Sequence, residues 1–323
     1  MMVSYRLYWT LCMLLCFGQY LGQYLQIPEP PYKEEGDSVV FTLENPPPST
    51  SILITQWFFT TATIIIVVSG VPTVNPTYEG RISFDSNTLA LELQNLTHSD
   101  SGIYRLSVTT SAGETRTGET SLQVFEKLSV RLIGPEEPLI EGESFANITS
   151  KGNGIITSVQ WMKNNSPLSP SNSIIFSPDF RSVSISPVQR SDSGEYQCKY
   201  TNPVNSETAK LSLIINYGPE DVSIKGLGEV NSGAPVSLSC SANSVPSASF
   251  RWMFNGTDTG VTTDTYTIDK TDFTHSGYYD CTAWNNVTNR SASQRHPLLV
   301  KVGGRGGGRG GLVPSDQVEM NRH

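Results

Sequence analysis

Length, composition and charge describe an acidic, folded protein with more than one domain. The 323 residues carry a formal net charge of −8, so the chain has no general basic surface for nucleic acid. Hydrophobic residues make up 37% of the sequence and charged residues only 16%, which supplies packed cores and excludes a chain that is disordered throughout. Two or three domains of ordinary size fit this length.

The N-terminus has the pattern of a secretory signal peptide. The segment MMVSYR precedes an apolar run of about ten residues, LYWTLCMLLC, and cleavage could follow Gly18 or Gly22. This run is too short to span a bilayer as a helix, and a buried N-terminal helix is the alternative. We therefore predict that residues 1–22 are removed and that the mature protein is secreted or extracellular.

A repeat of about 90 residues organises the rest of the chain. Its landmarks are DSGIY (100–104), DSGEY (192–196) and HSGYY (275–279), and each follows one tryptophan: Trp57, Trp161 or Trp252. Between the landmarks lie short strands with alternating apolar residues, such as TLALEL, SVSIS and VSLSC, and no sustained helical period. This pattern predicts an all-β protein of three tandem immunoglobulin-like sandwiches, in which the tryptophan covers the core and the tyrosine forms a corner.

The repeat also predicts the domain boundaries and one ion pair. We expect a variable-type domain at 23–126, constant- or intermediate-type domains at 127–216 and 217–302, and a flexible Gly/Arg-rich tail at 303–323. In the first domain, Arg81 and Asp100 are placed to pair beside the tyrosine corner.

Three cysteines remain after removal of the signal peptide, an odd number for an oxidising compartment. The spacing of Cys240 and Cys281 around Trp252 predicts a disulfide within the third domain. Cys198 has no such partner, because Ser150 stands at the corresponding position of the second domain. Cys198 is then either a buried, unreactive thiol or a link to a second chain.

Each of the first two domains should therefore fold without an internal disulfide. Leu43 and Leu106 stand at the two cysteine positions of the first domain, so packing replaces the disulfide there. Loss of such a bridge typically costs about 2–5 kcal/mol, and we expect the second domain to unfold more easily than the third.

Longer strings in this order resemble the carcinoembryonic-antigen-related cell adhesion molecules. They are NLTHSDSGIYRLSV in the first domain, the linker NPVNSETAKLSLIINYGP, and SGAPVSLSCSANSVPSASFRWMFNGT in the third domain. The resemblance covers the chain from about Gln23 to Val302, and departs from the family at Ser150 and in lacking a membrane segment or cytoplasmic motif. It implies a first domain without a disulfide and cell-surface recognition, often homophilic or between family members, through the C–C′–F–G face of that domain.

Strand alternation indicates which side chains form that face. If Trp57, Tyr104 and Leu106 point inward, their neighbours on the C and F strands point outward. The next strand, ATIIIVV, is apolar on both faces, so one set of its residues is either exposed at an interface or buried under its own loop. The predicted binding residues are Gln56, Phe58, Ile64, Ile66, Val68, Arg105, Ser107 and Thr109.

Six Asn-x-Ser/Thr sequons predict attached N-glycans, and none falls on the C and F strand positions of this face. Their asparagines are Asn95, Asn147, Asn164, Asn255, Asn286 and Asn289.

The sequence offers no pattern for catalysis. His98 adjoins Ser99 and Asp100 in one turn, but adjacency in sequence does not build a catalytic triad. The histidines and cysteines lack metal-ligand spacing, and no glycine-rich loop for phosphate opens a helix. We predict no enzyme activity, no metal and no cofactor.

The C-terminal GGRGGGRGG reads as a flexible linker rather than an RNA-binding segment, because two arginines in an exported acidic chain make a weak nucleic-acid site. No hydrophobic run follows it, so we expect no membrane span and consider a soluble, decoy-like form of an anchored adhesion receptor.

Two classes of function remain. The first is adhesion or recognition, with the chain binding itself, a family member or another surface protein. The second is a sialic-acid-binding lectin, which needs an outward arginine on the F strand to pair with the sugar carboxylate. The usual position for that arginine, three residues after the tyrosine, is Ser107, and Arg105 lies two residues earlier.

Overall fold

The computed structural model describes residues 24–302, and it confirms an all-β fold of three immunoglobulin sandwiches. The predicted signal peptide and the predicted tail at 303–323 lie outside these residues. Within them, helical structure is limited to short 3-10 turns at Ser49–Ser51, Pro76–Tyr78, His98–Asp100, Arg190–Asp192 and Phe273–His275. None of the helices in this range is long and apolar enough to cross a membrane.

Residue contacts divide the chain into two compact units. One contains the first domain and most of the second. The other contains the third domain together with residues 135–146 and 186–193 of the second domain.

The first domain consists of ten strands. They are β1 (Lys33–Glu34), β2 (Val39–Phe41), β3 (Ile52–Phe59), β4 (Ala62–Val68), β5 (Val71–Val74), β6 (Ile82–Phe84), β7 (Leu91–Leu93), β8 (Gly102–Thr110), β9 (Thr115–Leu122) and β10 (Val124–Phe125). One sheet has the order β5-β4-β3-β8-β9 and the other β2-β7-β6, while β1 pairs in parallel with β10. This is the five-plus-three arrangement of a variable-type sandwich, with β3, β4, β5, β8 and β9 as strands C, C′, C″, F and G.

Aromatic packing fills the centre of the first domain, where the third domain has a disulfide. Trp57 is fully buried, and the ring of Phe41 stacks on that of Tyr104 at a centroid distance of 4.4 Å. Trp57 pairs across the sheet with Leu106, which is also fully buried. Leu43 packs against the same core. Apolar contact therefore replaces the bridge at both predicted positions.

The DSGIY motif forms the predicted tyrosine corner. The Tyr104 hydroxyl donates to the backbone carbonyl of Asp100 at 2.8 Å, and burial raises the pKa of Tyr104 well above its usual range. The Asp100 carboxylate forms the predicted ion pair with Arg81, with an Nη2–Oδ2 distance of 2.5 Å. Gly102 has a φ of +156°, and a Cβ there would lie 2.8 Å from the Phe59 ring. The glycine therefore lets Phe59 close the core below the corner.

The second domain contains nine strands. They are β11 (Ser129–Ile133), β12 (Leu139–Ile140), β13 (Ala146–Asn153), β14 (Ser158–Lys163), β15 (Ser166–Pro167), β16 (Ile174–Phe176), β17 (Ser182–Ile185), β18 (Gly194–Thr201) and β19 (Ser206–Leu213). Its two four-stranded sheets have the orders β11-β13-β17-β16 and β15-β14-β18-β19. Strand β13 alternates between buried Ala146, Ile148 and Ser150 and more exposed neighbours, so these three residues face the core.

The third domain contains the remaining strands and the disulfide. They are β20 (Ile215–Lys225), β21 (Glu229–Asn231), β22 (Val236–Val245), β23 (Ser249–Phe254), β24 (Thr257–Asp258), β25 (Thr265–Ile268), β26 (Gly277–Asn285) and β27 (Arg290–Lys301). Strands β20, β22 and β25 pair in one sheet, which β12 joins by parallel pairing with β20, and the other sheet has the order β21-β27-β26-β23-β24. Cys240 and Cys281 are bridged, as the spacing predicts.

Register shows that Ser150 replaces the missing cysteine of the second domain. Cys198 pairs with Trp161 across the sheet, just as Cys281 pairs with Trp252. Cys198 is a buried free thiol. The Ser150 hydroxyl makes a hydrogen bond of 2.8 Å with the hydroxyl of fully buried Tyr200 and donates one of 3.0 Å to the Arg181 carbonyl. A polar network therefore occupies the place of the disulfide.

Ser150→Cys should form a bridge with Cys198 and raise the unfolding midpoint of the second domain. A closed loop of about 50 residues stabilises by roughly 4 kcal/mol in the loop-entropy model, against about 1 kcal/mol for each of the two hydrogen bonds that Ser150 makes with Tyr200 and Arg181. Thermal unfolding of the secreted protein measures the balance. The double variant Ser150→Cys/Cys198→Ala, which cannot bridge, should unfold at a lower temperature than the native chain. Absence of a bond in the single variant would mean that Ser150 does not correspond to Cys240.

Cys198 should resist alkylation in the folded protein. Burial raises the pKa of its thiol to about 11, while side-chain hydrogen bonding with Ser150 lowers it by a smaller amount, so little thiolate is present at neutral pH. Iodoacetamide labelling followed by non-reducing peptide mapping should modify Cys198 only after denaturation and recover Cys240 linked to Cys281. Rapid labelling of native protein, or a Cys198 link to a second chain, contradicts this expectation.

Candidate functional site

The outward surface of the five-stranded sheet of the first domain is the candidate binding site. We call the outward face of β3, β4, β8 and β9 the C–C′–F–G face. Along β3 and β8 the inward residues, including Trp57, Tyr104 and Leu106, are buried. Their neighbours Gln56, Phe58 and the others predicted on these two strands are half-buried or exposed, because successive side chains of a strand point to opposite faces.

Cross-strand register arranges the predicted residues in three rows. In the first row Phe58 lies opposite Arg105, which lies opposite Glu119. In the second, Gln56 lies between Ile66 and Ser107. In the third, Ile54 lies between Val68 and Thr109. Seven of the eight predicted residues thus share one surface, together with Ile54 and Glu119, which the prediction left out.

Ile64 is the exception, and its placement in the binding set is wrong. Its side chain is fully buried in the core beside Ile65. Trp57 pairs with Ile65 but Phe58 pairs with Thr63, so Ile64 is the extra residue of a β-bulge. A bulge interrupts the strict alternation of side chains. Alternation counted back from Val68 and Ile66 therefore assigns Ile64 to the wrong side.

The face has an apolar half and a polar half. The apolar half lies on β3 and β4 and includes Ile54, Ile66 and Val68, which is 44% exposed. Val71 on the neighbouring β5, opposite Val68 and 67% exposed, extends it beyond the face. The polar half lies on β8 and β9. It includes Ser107, Thr109 on the same strand and Thr117 opposite Ser107. Phe58 and Gln56 on β3 lie between the two halves. Aliphatic residues at outward positions of a sheet are typical of an interface rather than of a solvated surface.

A salt bridge marks the edge of the polar half. The Arg105 guanidinium contacts the Glu119 carboxylate, with an Nε–Oε1 distance of 2.6 Å and an Nη2–Oε1 distance of 2.5 Å. The two side chains are 48% and 41% exposed, so the pair adds little to the free energy of folding. It does orient both charges toward solvent at fixed positions beside Phe58.

The six sequon asparagines are all exposed in the structure, and none lies on the C–C′–F–G face. Asn164 and Asn255 occupy equivalent turns, where each side-chain carbonyl accepts a backbone N–H of the following F strand, that of Glu195 or Tyr278. Attachment of sugar at these six positions stays a prediction.

Family comparisons match each domain. The immunoglobulin V-set model matches residues 26–125, the I-set model residues 141–215, and a further immunoglobulin domain model residues 219–285.

Curated relatives cover most of the chain. The mouse cell adhesion molecule CEACAM16 is 27% identical over 85% of this chain and 67% of its own length, and the rat protein of the same name is 27% identical over 85% and 68%. Among solved structures, the three-domain ectodomain of mouse nectin-like molecule 4 aligns over 86% of this chain and 99% of its own, with a TM-score of 0.63 and 19% identity. At that identity the last likeness concerns the fold alone.

The bulge leads to opposite expectations for two residues of β4. Ile64→Ala should lower the free energy of unfolding of the first domain by about 2–5 kcal/mol, because it leaves a cavity in the core. Val68→Ala removes an exposed side chain and should change it by no more than about 0.5 kcal/mol. Urea denaturation of the two variants measures the difference. If Val68→Ala is the more destabilising, the register of β4 is shifted by one residue.

Proposed function

The chain is a CEACAM-like member of the immunoglobulin superfamily, and from this we propose that it is an extracellular recognition protein that binds protein surfaces through the C–C′–F–G face of its first domain. Its relatives are named as cell adhesion molecules. The partner in this proposal is a second copy of the chain, a family member or another cell-surface protein.

The main support for the proposal is a cluster of aliphatic residues on the outside of the sheet. Ile54, Ile66 and Val68 are adjacent across β3 and β4, and all three point away from the core. Solvated antiparallel sheets place polar residues at such positions. The removal of these three side chains from water favours association, and the sheet surface holds them in place before binding.

Phe58 is the proposed anchor of the interface. It is half-buried and lies at the junction of the two halves, with Arg105 on one side and Thr63 on the other. Binding energy usually concentrates in a central aromatic residue surrounded by contacts that exclude water. Gln56, Arg105, Ser107 and Thr109 then supply hydrogen bonds that orient the partner.

The glycan-binding alternative depends on Arg105. Its guanidinium already contacts Glu119, so a sugar carboxylate would have to displace an existing carboxylate. Ser107, at the usual arginine position, has no charge. A protein partner is therefore the better match to this face.

We further propose that the mature protein is glycosylated at the exposed sequons and acts outside the cell. Because these asparagines lie off the C–C′–F–G face, glycans on them would shield other surfaces and leave the proposed interface accessible. The soluble decoy remains one form that such a protein could take.

Phe58→Ala should weaken association of the full chain by about 1–3 kcal/mol, or roughly 5- to 150-fold, without much change in its melting temperature. The measurement is aggregation of protein-coated beads, with binding to a panel of cell-surface proteins as a second assay. Val40→Ala is a matched control, since Val40 is an exposed residue on the opposite sheet and should leave binding unchanged. Trp57→Ala should instead unfold the domain.

Two outcomes would contradict the proposal. One is a Phe58→Ala variant that unfolds easily yet binds normally, which would place Phe58 in the core. The other is native protein that ignores every protein surface but retains sialylated glycans, with retention abolished by Arg105→Ala.

A further inference from the structure

The second domain contains a cationic depression that the proposed function does not use. It lies along strands β11 and β13, beside the start of β17 and far in sequence from the C–C′–F–G face, and has a volume of about 520 Å³. Three of the residues that line it are basic and none is acidic. The lining residues are Ser129, Val130, Arg131, Lys151, Gly152, Asn153 and Arg181.

Strand register places two of the three cations side by side, and the third lines the same depression. Arg131 on β11 lies directly opposite Lys151 on β13, and both are exposed. Arg181 precedes β17, and its carbonyl accepts the backbone N–H of Ser150 at 2.7 Å. Residues about 20 to 50 positions apart in sequence thus converge on one surface.

The cations of this cluster form no direct ion pair within residues 24–302, although Asp179 lies near Arg181: hydrogen bonds from Ser177 and the Arg181 backbone, and to a smaller extent the Arg181 charge, lower the pKa of that carboxyl. None of Arg131, Lys151 and Arg181 lies within 4.0 Å of an acidic oxygen in that range. Asp179, two residues before Arg181, accepts hydrogen bonds from the Ser177 hydroxyl and the Arg181 backbone N–H rather than from the guanidinium. Like charges directly opposite each other on a sheet destabilise it. The unbound protein, although acidic as a whole, therefore keeps Arg131 and Lys151 opposite each other at some cost in stability.

Close packing around Gly152 and Tyr200 shapes the floor of the depression. A Cβ on Gly152 would lie 1.9 Å from the Ser129 carbonyl oxygen and 2.9 Å from the Tyr200 ring, so only glycine lets β11 and β13 approach here. The Arg181 guanidinium lies over the same Tyr200 ring, at 5.8 Å from its centroid. This contact holds one cation of the cluster in position.

The geometry points to a binding site for a sulfated polysaccharide on this face of the second domain. Arg131 and Lys151, with Arg181 lining the same depression, can contact several sulfate groups of one chain, and the Ser129 hydroxyl and Asn153 amide can bond to sugar hydroxyls. An open depression suits a linear polyanion, which can pass through it and release counterions along its length. Such chains are the abundant polyanions outside cells, where we expect this protein to act.

The test is retention of the full secreted, glycosylated protein on immobilised heparin, with surface plasmon resonance on the same heparin. The native chain should bind at 150 mM salt. Lys151→Ser and Arg131→Ser should each weaken binding by about tenfold, the usual effect of losing one charge-assisted hydrogen bond. Each should also reduce by about one the slope of log affinity against log salt concentration.

Lys199→Ser is the matched control. Lys199 lies on β18, in the opposite sheet, and its replacement removes the same charge from the same domain. The variant should keep native affinity for heparin. An equal loss in Lys199→Ser, or a native chain that does not bind heparin at 150 mM salt, would overturn the site. Equal binding of a desulfated chain of the same length would overturn the assignment to sulfate.

Thermal unfolding provides a second measurement that separates a binding role from a structural one. Because Arg131 and Lys151 repel each other, Lys151→Ser should leave the melting temperature unchanged or raise it. A lower melting temperature together with lost heparin binding would mean that Lys151 supports the fold instead. The predicted glycan on Asn147 lies on the same outward face of β13 as Lys151, so binding seen only in Asn147→Gln would also overturn the site, because the native protein would then carry it covered.

Discussion

The buried tryptophan of the C strand is the contact on which each sandwich depends. In all three domains its indole N–H donates to a backbone carbonyl of the facing layer: from Trp57 to Leu89 at 3.1 Å, from Trp161 to Phe180 at 2.6 Å, and from Trp252 to Thr263 at 3.0 Å. A buried indole needs such a partner, because an unsatisfied N–H in a core is costly. Leu89 and Phe180 adopt φ values of +60° and +56°, which are unfavourable for such residues, to present these carbonyls. This contact fixes which side of each sheet is the core, and hence which residues can reach a partner.

Around this shared contact, each domain closes its core with different chemistry. The first uses aromatic and aliphatic packing, with Phe41 stacked on Tyr104. The second uses a buried free thiol beside a serine–tyrosine hydrogen bond. The third uses a disulfide. A bridge chiefly restricts the unfolded chain, whereas packing and hydrogen bonds act in the folded one, so the same fold tolerates all three solutions at different stabilities.

The two proposed surfaces follow from the same rule of alternation but differ in the force that they use. On the C–C′–F–G face, aliphatic residues occupy outward positions, and their removal from water favours a protein partner. On the second domain, Arg131 and Lys151 occupy outward positions opposite each other, and the attraction of these cations to a polyanion falls with salt. Each surface raises the free energy of the unbound domain relative to a domain with an ordinary polar surface. The first exposes apolar area, and the second places like charges opposite each other.

The sequence by itself determined the architecture and most of the candidate face. A tryptophan, a tyrosine corner and alternating strands recur three times, and period-two alternation is a local property that assigns Gln56, Phe58, Arg105, Ser107 and Thr109 to the outside. Cysteine spacing likewise identified the bridged pair and the thiol without a partner. Tertiary structure alone decided what depends on pairing between strands. The bulge in β4 turns Ile64 into the core, because an extra residue shifts the alternation. Register between β11 and β13 also decides that Arg131 meets Lys151, since no local pattern specifies which residues of two distant strands lie opposite each other.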